Sequence, residues 1–142
     1  MTARRKARKR ALDILFEAEQ RGLEPLLLLA DRRAAPEAAL TQYSAELVEG
    51  VAAHRSEIDA LLIAQLSPGW TLARLPAVDR ALLRIAVYEL RFGTGVPTAV
   101  AVSEAVGLAA ALSTDESPGY VNGVLAAIAA APGPAPAEHS ST

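Results

Sequence analysis

Six cations crowd the first ten residues, MTARRKARKR: Arg4, Arg5, Lys6, Arg8, Lys9 and Arg10. Side chains of this type at this spacing can neutralise several phosphates, and the counterions they release make such binding steeply salt-dependent. The rest of the 142-residue chain holds eight basic residues against all sixteen acidic ones, so the overall charge of −2 hides a basic end on an acidic body. That asymmetry is a local electrostatic device rather than a generally adhesive surface. Charge alone leaves two readings open, a phosphate-gripping segment and a solvated run that aids solubility.

Other chemistry finds little footing. With no cysteine, the chain has no disulfide framework, thiolate-held zinc, iron–sulfur cluster or thiol nucleophile. Two histidines, His54 and His139, do not make a His-rich metal site. Gly93-Thr94-Gly95 lacks the remainder of any phosphate-cradling motif, and no histidine is placed to activate a serine. The acids Asp115 and Glu116 fit equally well as charges stabilised ahead of a helix N-terminus. Neither an enzymatic activity nor a cofactor is expected. Recognition is the better class. Phosphate contacts position a nucleic acid, whereas reading single-stranded RNA needs stacking faces and polar groups at base edges. Tyr120, with Glu116 and Asn122 nearby, could supply both, although its place at the border of a core face suits a structural role as well.

The elements that must position these residues read as all-α. Alanine and leucine dominate, alternating β-branched runs are nearly missing, and proline and glycine cut the chain into helical lengths. A first helix is predicted over 3–21, ended by Gly22, with Ala7, Ala11, Ile14, Leu15 and Ala18 on its core face. Phe16 falls on nearly the opposite side, beside Arg5, Lys9 and Gln20. It packs under a neighbouring loop or meets a partner, and the pattern alone does not choose. A short helix over 26–31 follows. Then a long one reopens at Pro36 and carries the stripe Leu40, Tyr43, Leu47, Val51, His54, Ile58 and Leu61, with His54 as a core histidine and Gly50 as a point of close helix approach. Ser67-Pro68-Gly69 divides an N-terminal subdomain, 1–66, from a C-terminal one, 67–131. The second half opens with a central helix over 76–92, apolar around most of its girth, with Arg80, Arg84, Tyr88 and Arg91 as its polar stripe. Next comes a helix over 97–112 that turns Val102, Ala105, Val106, Ala109 and Leu112 inward. A last helix, capped by Ser117, buries Val121, Val124, Leu125 and Ile128. Residues 132–142 have the composition of a disordered tail. No apolar run reaches the roughly 18 residues of a membrane span, and Glu17 and Glu19 interrupt any signal-like stretch, so a cytoplasmic protein is expected.

Five blocks, in order, carry a resemblance: RRKARKRALDILFEAE at 4–19, LVEGV at 47–51, LPAVDRALLRIAVYEL at 75–90, VPTAVAVSEAVGLA at 96–109 and SPGYVNGVL at 117–125. Together they resemble the NusB family of transcription antitermination factors. The resemblance implies an all-helical fold of two packed bundles, about seven helices in all. It also implies a heterodimer with the small ribosomal protein NusE that binds boxA RNA of ribosomal RNA operons and helps load an antitermination complex on RNA polymerase. Homodimers occur in the family too. Carried onto this chain, RNA contacts would fall on Arg4, Arg5, Lys6, Arg8, Lys9, Arg10, Glu116 and Tyr120, and NusE contacts on Phe16 and Asp79. Ser103 stands where the family often has Asn. Two other readings are a stand-alone relative of the NusB-like domain of ribosomal RNA cytosine methyltransferases, which without cysteine could not itself be catalytic, and a helical interaction scaffold.

Overall fold

The computed structural model describes residues 2–35, 40–93 and 95–131. Among them are seven α-helices and no strand: α1 Ala3–Arg21, α2 Pro25–Ala34, α3 Gln42–Ala53, α4 Arg55–Ile63, α5 Ala77–Arg91, α6 Thr98–Leu112 and α7 Ser117–Ala130. A single turn of 3-10 helix, Leu72–Arg74, leads into α5. None of these helices is long and apolar enough to cross a membrane.

Local signals set the helix ends. Thr2 accepts the Arg5 N–H and starts α1. Gly22, at φ 66°, ends it in the left-handed region that favours glycine. Thr41 caps α3 by accepting from the Ser44 N–H, so α3 begins at Gln42 rather than at Pro36; residues 36–39 lie outside the described residues, as does the 132–142 segment. The single long helix expected through His54 is two helices. His54, at φ −114° and ψ 24°, is the joint, half-buried, with its ring stacked on Phe92 at 4.2 Å. The apolar stripe shifts past the joint: Leu47, Val51 and Ile58 are buried as expected, but Leu62 continues it into the core and Leu61 is only partly buried.

α5 is the axis. Ala81 to Val87 are all buried, and helices from both halves of the chain pack around it, among them α1, α3, α6 and α7. One hydrophobic cluster joins them, with Leu47, Ile58, Leu82, Leu83, Leu108, Leu125 and Ile128 nearly sealed from solvent. Each such side chain contributes about 1.5–3 kcal/mol by leaving water. Gly50 lets α3 approach α5 so closely that a methyl group there would overlap the Tyr88 ring. The inward set changes in α6: Leu112 is exposed, Val102 and Val106 are half-buried, and Ala101 and Leu108 are buried with Ala105 and Ala109.

Arg80 and Arg84, expected on a polar stripe, are buried. Arg80 donates to Glu19 of α1 at 2.9 Å and to the carbonyls of Leu72 and Leu75, which pins the 3-10 turn. Arg84 donates to Asp59 of α4 at 2.9 Å. The Arg80 hydrogen bond, against the opposing effect of burial and with help from the Arg80 and Arg84 charges, holds the Glu19 carboxyl below its ordinary range.

Candidate nucleic-acid interface

The basic end of the chain forms the first two turns of α1, and its cations divide by direction. Ala7 and Ala11 anchor α1 in the core, which forces residues about 100° apart around the helix to face different neighbours. Lys6, Lys9 and Arg10 point outward and line one open depression of about 330 Å³ beside Thr41. Lys9 bonds Asp13 one turn on at 3.1 Å; Lys6 and Arg10 make no ion pair among the described residues. Arg4 lies flat over the Tyr43 ring, its guanidinium carbon 3.8 Å from the centroid.

Arg8 departs from the expected RNA-facing role. Its side chain is 4% exposed and grips Glu89 of α5, 1% exposed, with hydrogen bonds of 2.9–3.2 Å. The Tyr43 hydroxyl donates to the same carboxylate. Burial works against the Arg8 charge, but the hydrogen bonds and charge of Glu89 outweigh it, so the guanidinium is held charged even more firmly than usual. Arg5, still partly exposed, reaches across to α6, where it donates to both carboxylate oxygens of Glu104 at 2.8 and 3.1 Å. That hydrogen bond, opposed by partial burial and aided by the Arg5 and Arg8 charges, keeps Glu104 below the usual carboxylate range. Tyr43, Glu89 and Glu104 therefore hold the basic segment in place although they carry no positive charge. Tyr43 reads in the sequence as one more apolar stripe residue, and nothing local marks Glu104.

At the other end of α5, Asp79 is 2% exposed, so in this conformation it is not presented to a partner. It instead accepts from the hydroxyls of Ser113 at 2.6 Å and Ser117 at 2.9 Å, tying down the turn between α6 and α7. Ser117 is the first residue of α7, not its cap: its Oγ accepts from the Thr114 N–H while Oγ–H reaches Asp79. This leaves Asp115 and Glu116 exposed at the turn and Tyr120 half-buried one turn into α7. Burial, with the Asp79 charge behind it, raises the Tyr120 phenol above its ordinary value. Phe16 is 36% exposed and stands outside the hydrophobic cluster, about 16 Å along α1 from Arg5 and on the same side. The arrangement brings together Asp79, Glu116 and Tyr120 at one turn, and of the six cations it gathers Lys6, Lys9 and Arg10 at one depression. No catalytic constellation accompanies either, and no group of three or more metal-ligating side chains is present among the described residues.

Comparison with known proteins places the fold in a family. A family model described as the NusB family matches residues 5–130. A transcription antitermination protein NusB from Acidothermus cellulolyticus is 58% identical over 130 residues, covering 92% of this chain and 89% of the relative. One from Beutenbergia cavernae is 56% identical over 135 residues, covering 88% of each. Among solved structures, T. maritima NusB is similar with a TM-score of 0.79 at 32% identity, over 94% of both chains. A crystal structure of the antitermination factors NusB and NusE in complex with double-stranded RNA is similar with a TM-score of 0.75 at 28% identity, over 89% of this chain and 95% of that one. By the family match across nearly all of its helical body and by these identities, the chain belongs to the NusB family.

Proposed function

We propose that this chain is an RNA-binding transcription antitermination factor that works with the small ribosomal protein NusE. The pair binds boxA RNA of ribosomal RNA operons and supports assembly of the antitermination complex on RNA polymerase, in the cytoplasm. It works by binding, not by catalysis. The observation that supports this most is the outward set Lys6, Lys9 and Arg10, gathered at one depression by an ordered helix in a chain with this family's fold. With Arg4 they supply the phosphate contacts that place the RNA. Glu116 and Tyr120, held by the Asp79 turn, supply base contacts, Tyr120 by stacking and Glu116 by accepting hydrogen bonds from base edges. Phe16 supplies an apolar anchor for NusE. Asp79 serves the same partner indirectly, through the turn it holds. The halves 1–66 and 67–131 thus divide the task, the first carrying most phosphate contacts and the second the reading turn.

The test is competition binding with NusE present, boxA RNA against a scrambled RNA of the same length. The reading requires boxA to win by at least tenfold, the discrimination about 1.4 kcal/mol provides. Equal affinity for the two RNAs, with and without NusE, defeats it.

A further inference from the structure

The first turns of α1 are electrostatically misplaced. Their N–H groups form the positive end of a helix dipole, which favours acids, yet six cations and no acidic residue stand there. Something outside the helix must offset that repulsion. Arg8 finds Glu89 in the core, but α1 begins five residues before Arg8. Arg5 finds Glu104, and the space for it is made by the residue one turn on: a Cβ at Gly107 would stand 2.5 Å from Arg5 Nη2 and 2.9 Å from its Cζ. Glu104 also lies 3.7 Å from Arg8, so one carboxylate of α6 faces two of the six cations.

We propose that Glu104 and Gly107 form a seat on α6 for Arg5, and that Arg5 serves RNA binding as a positioning residue without touching RNA. The seat holds the first two turns of α1 helical, and this keeps Lys6, Lys9 and Arg10 converged on their depression. The inference deepens the RNA-binding reading above and rests on it.

Two variants separate the seat from a direct contact. Glu104→Gln removes the charge that holds Arg5. Gly107→Ala fills the space while putting a better helix former inside α6, so a loss of binding there cannot be blamed on a weakened helix. Amide hydrogen exchange of residues 6–10 in the RNA-free chain reads the order of α1; boxA RNA affinity across salt concentrations reads the consequence. Glu104→Gln is expected to speed that exchange about tenfold, and Gly107→Ala less, because the flexible end of Arg5 can shift away from the added methyl; exchange in α5 stays unchanged in both. Glu104→Gln is expected to weaken boxA binding about three- to tenfold, and Gly107→Ala by less, with an unchanged salt slope, since no phosphate contact is lost. A phosphate contact from Arg5 itself gives the reverse: Glu104→Gln removes a negative charge, frees Arg5, and tightens binding. Equal or tighter binding by Glu104→Gln, or unchanged exchange in both variants, overturns the proposal. A failure of the unmodified chain to prefer boxA RNA strikes the parent reading instead, and the exchange measurement still decides whether the seat exists.

Discussion

Replacing Arg8 by Met tests how α1 is fastened. Glu89 is 1% exposed and takes its hydrogen bonds from Arg8 and Tyr43. Met keeps much of the packing of the Arg8 stem but leaves the carboxylate buried with the Tyr43 hydroxyl as its remaining partner among these. Breaking a buried pair from one side costs about 3–5 kcal/mol, because the surviving charge is uncompensated. At roughly 3 °C per kcal/mol for a chain of this size, the melting temperature should fall by about 9–15 °C. Removing the stranded charge as well, in Arg8→Met with Glu89→Leu, should return most of that loss, since an apolar pair of similar volume is often neutral or better. Urea unfolding followed by helical circular dichroism, with both single variants and the double, measures the cycle. A loss under 1 kcal/mol in Arg8→Met, or a double variant no more stable than the worse single, would refute the claim that this pair locks α1 to α5.

Other consequences are smaller or more local. Gly50→Ala should destabilise the chain by about 1–3 kcal/mol in urea, against the usual gain from Gly→Ala in a helix, because the added methyl meets the Tyr88 ring. Asp79→Ala should cost about 2–3 kcal/mol and speed amide exchange at 113–117, since two hydroxyls lose a charged acceptor. Tyr120→Ala should weaken boxA RNA binding by about 1–3 kcal/mol while Tyr120→Phe changes little; an equal loss on scrambled RNA would deny it a reading role. Stability should fall in acid. The Glu19 and Glu104 carboxyls are held below their usual 4.5, so the unfolded chain takes up protons first. Their contribution is full above about pH 4.5 and is lost as pH drops through the lowered values. Glu19→Gln should flatten that acid limb in unfolding curves recorded from pH 6 to 3.

The sequence marks its helices where local chemistry does the marking. Gly22 ends α1 as expected, and the core face of α7, from Val121 to Ile128, is buried throughout. The joint at His54 escapes because no proline or glycine announces it and the apolar spacing runs through it without a fault. The start of α3 is missed because Pro36 reads as the helix start, whereas the Thr41 side chain caps the helix at Ser44. What periodicity cannot show is pairing between helices. Arg80, Arg84 and Arg8 look like solvated charges until Glu19, Asp59 and Glu89, each distant in sequence, arrive beside them. Asp79 is hidden for the same reason, its two serines standing more than thirty residues away. The candidate interface was therefore legible as a composition, a basic segment with an odd aromatic and a tyrosine turn. Which cations face out was not.

On this reading the cations of α1 are sorted, with Arg4, Lys6, Lys9 and Arg10 meeting phosphates and Arg5 and Arg8 fastening the helix to α6 and α5. The salt dependence of boxA RNA affinity measures this directly. Four phosphate contacts on a single strand predict a slope of about −3 in log K against log salt, and Arg10→Ala should make it shallower by about 0.7. A slope near zero, or one that Arg10→Ala leaves untouched, would contradict the account.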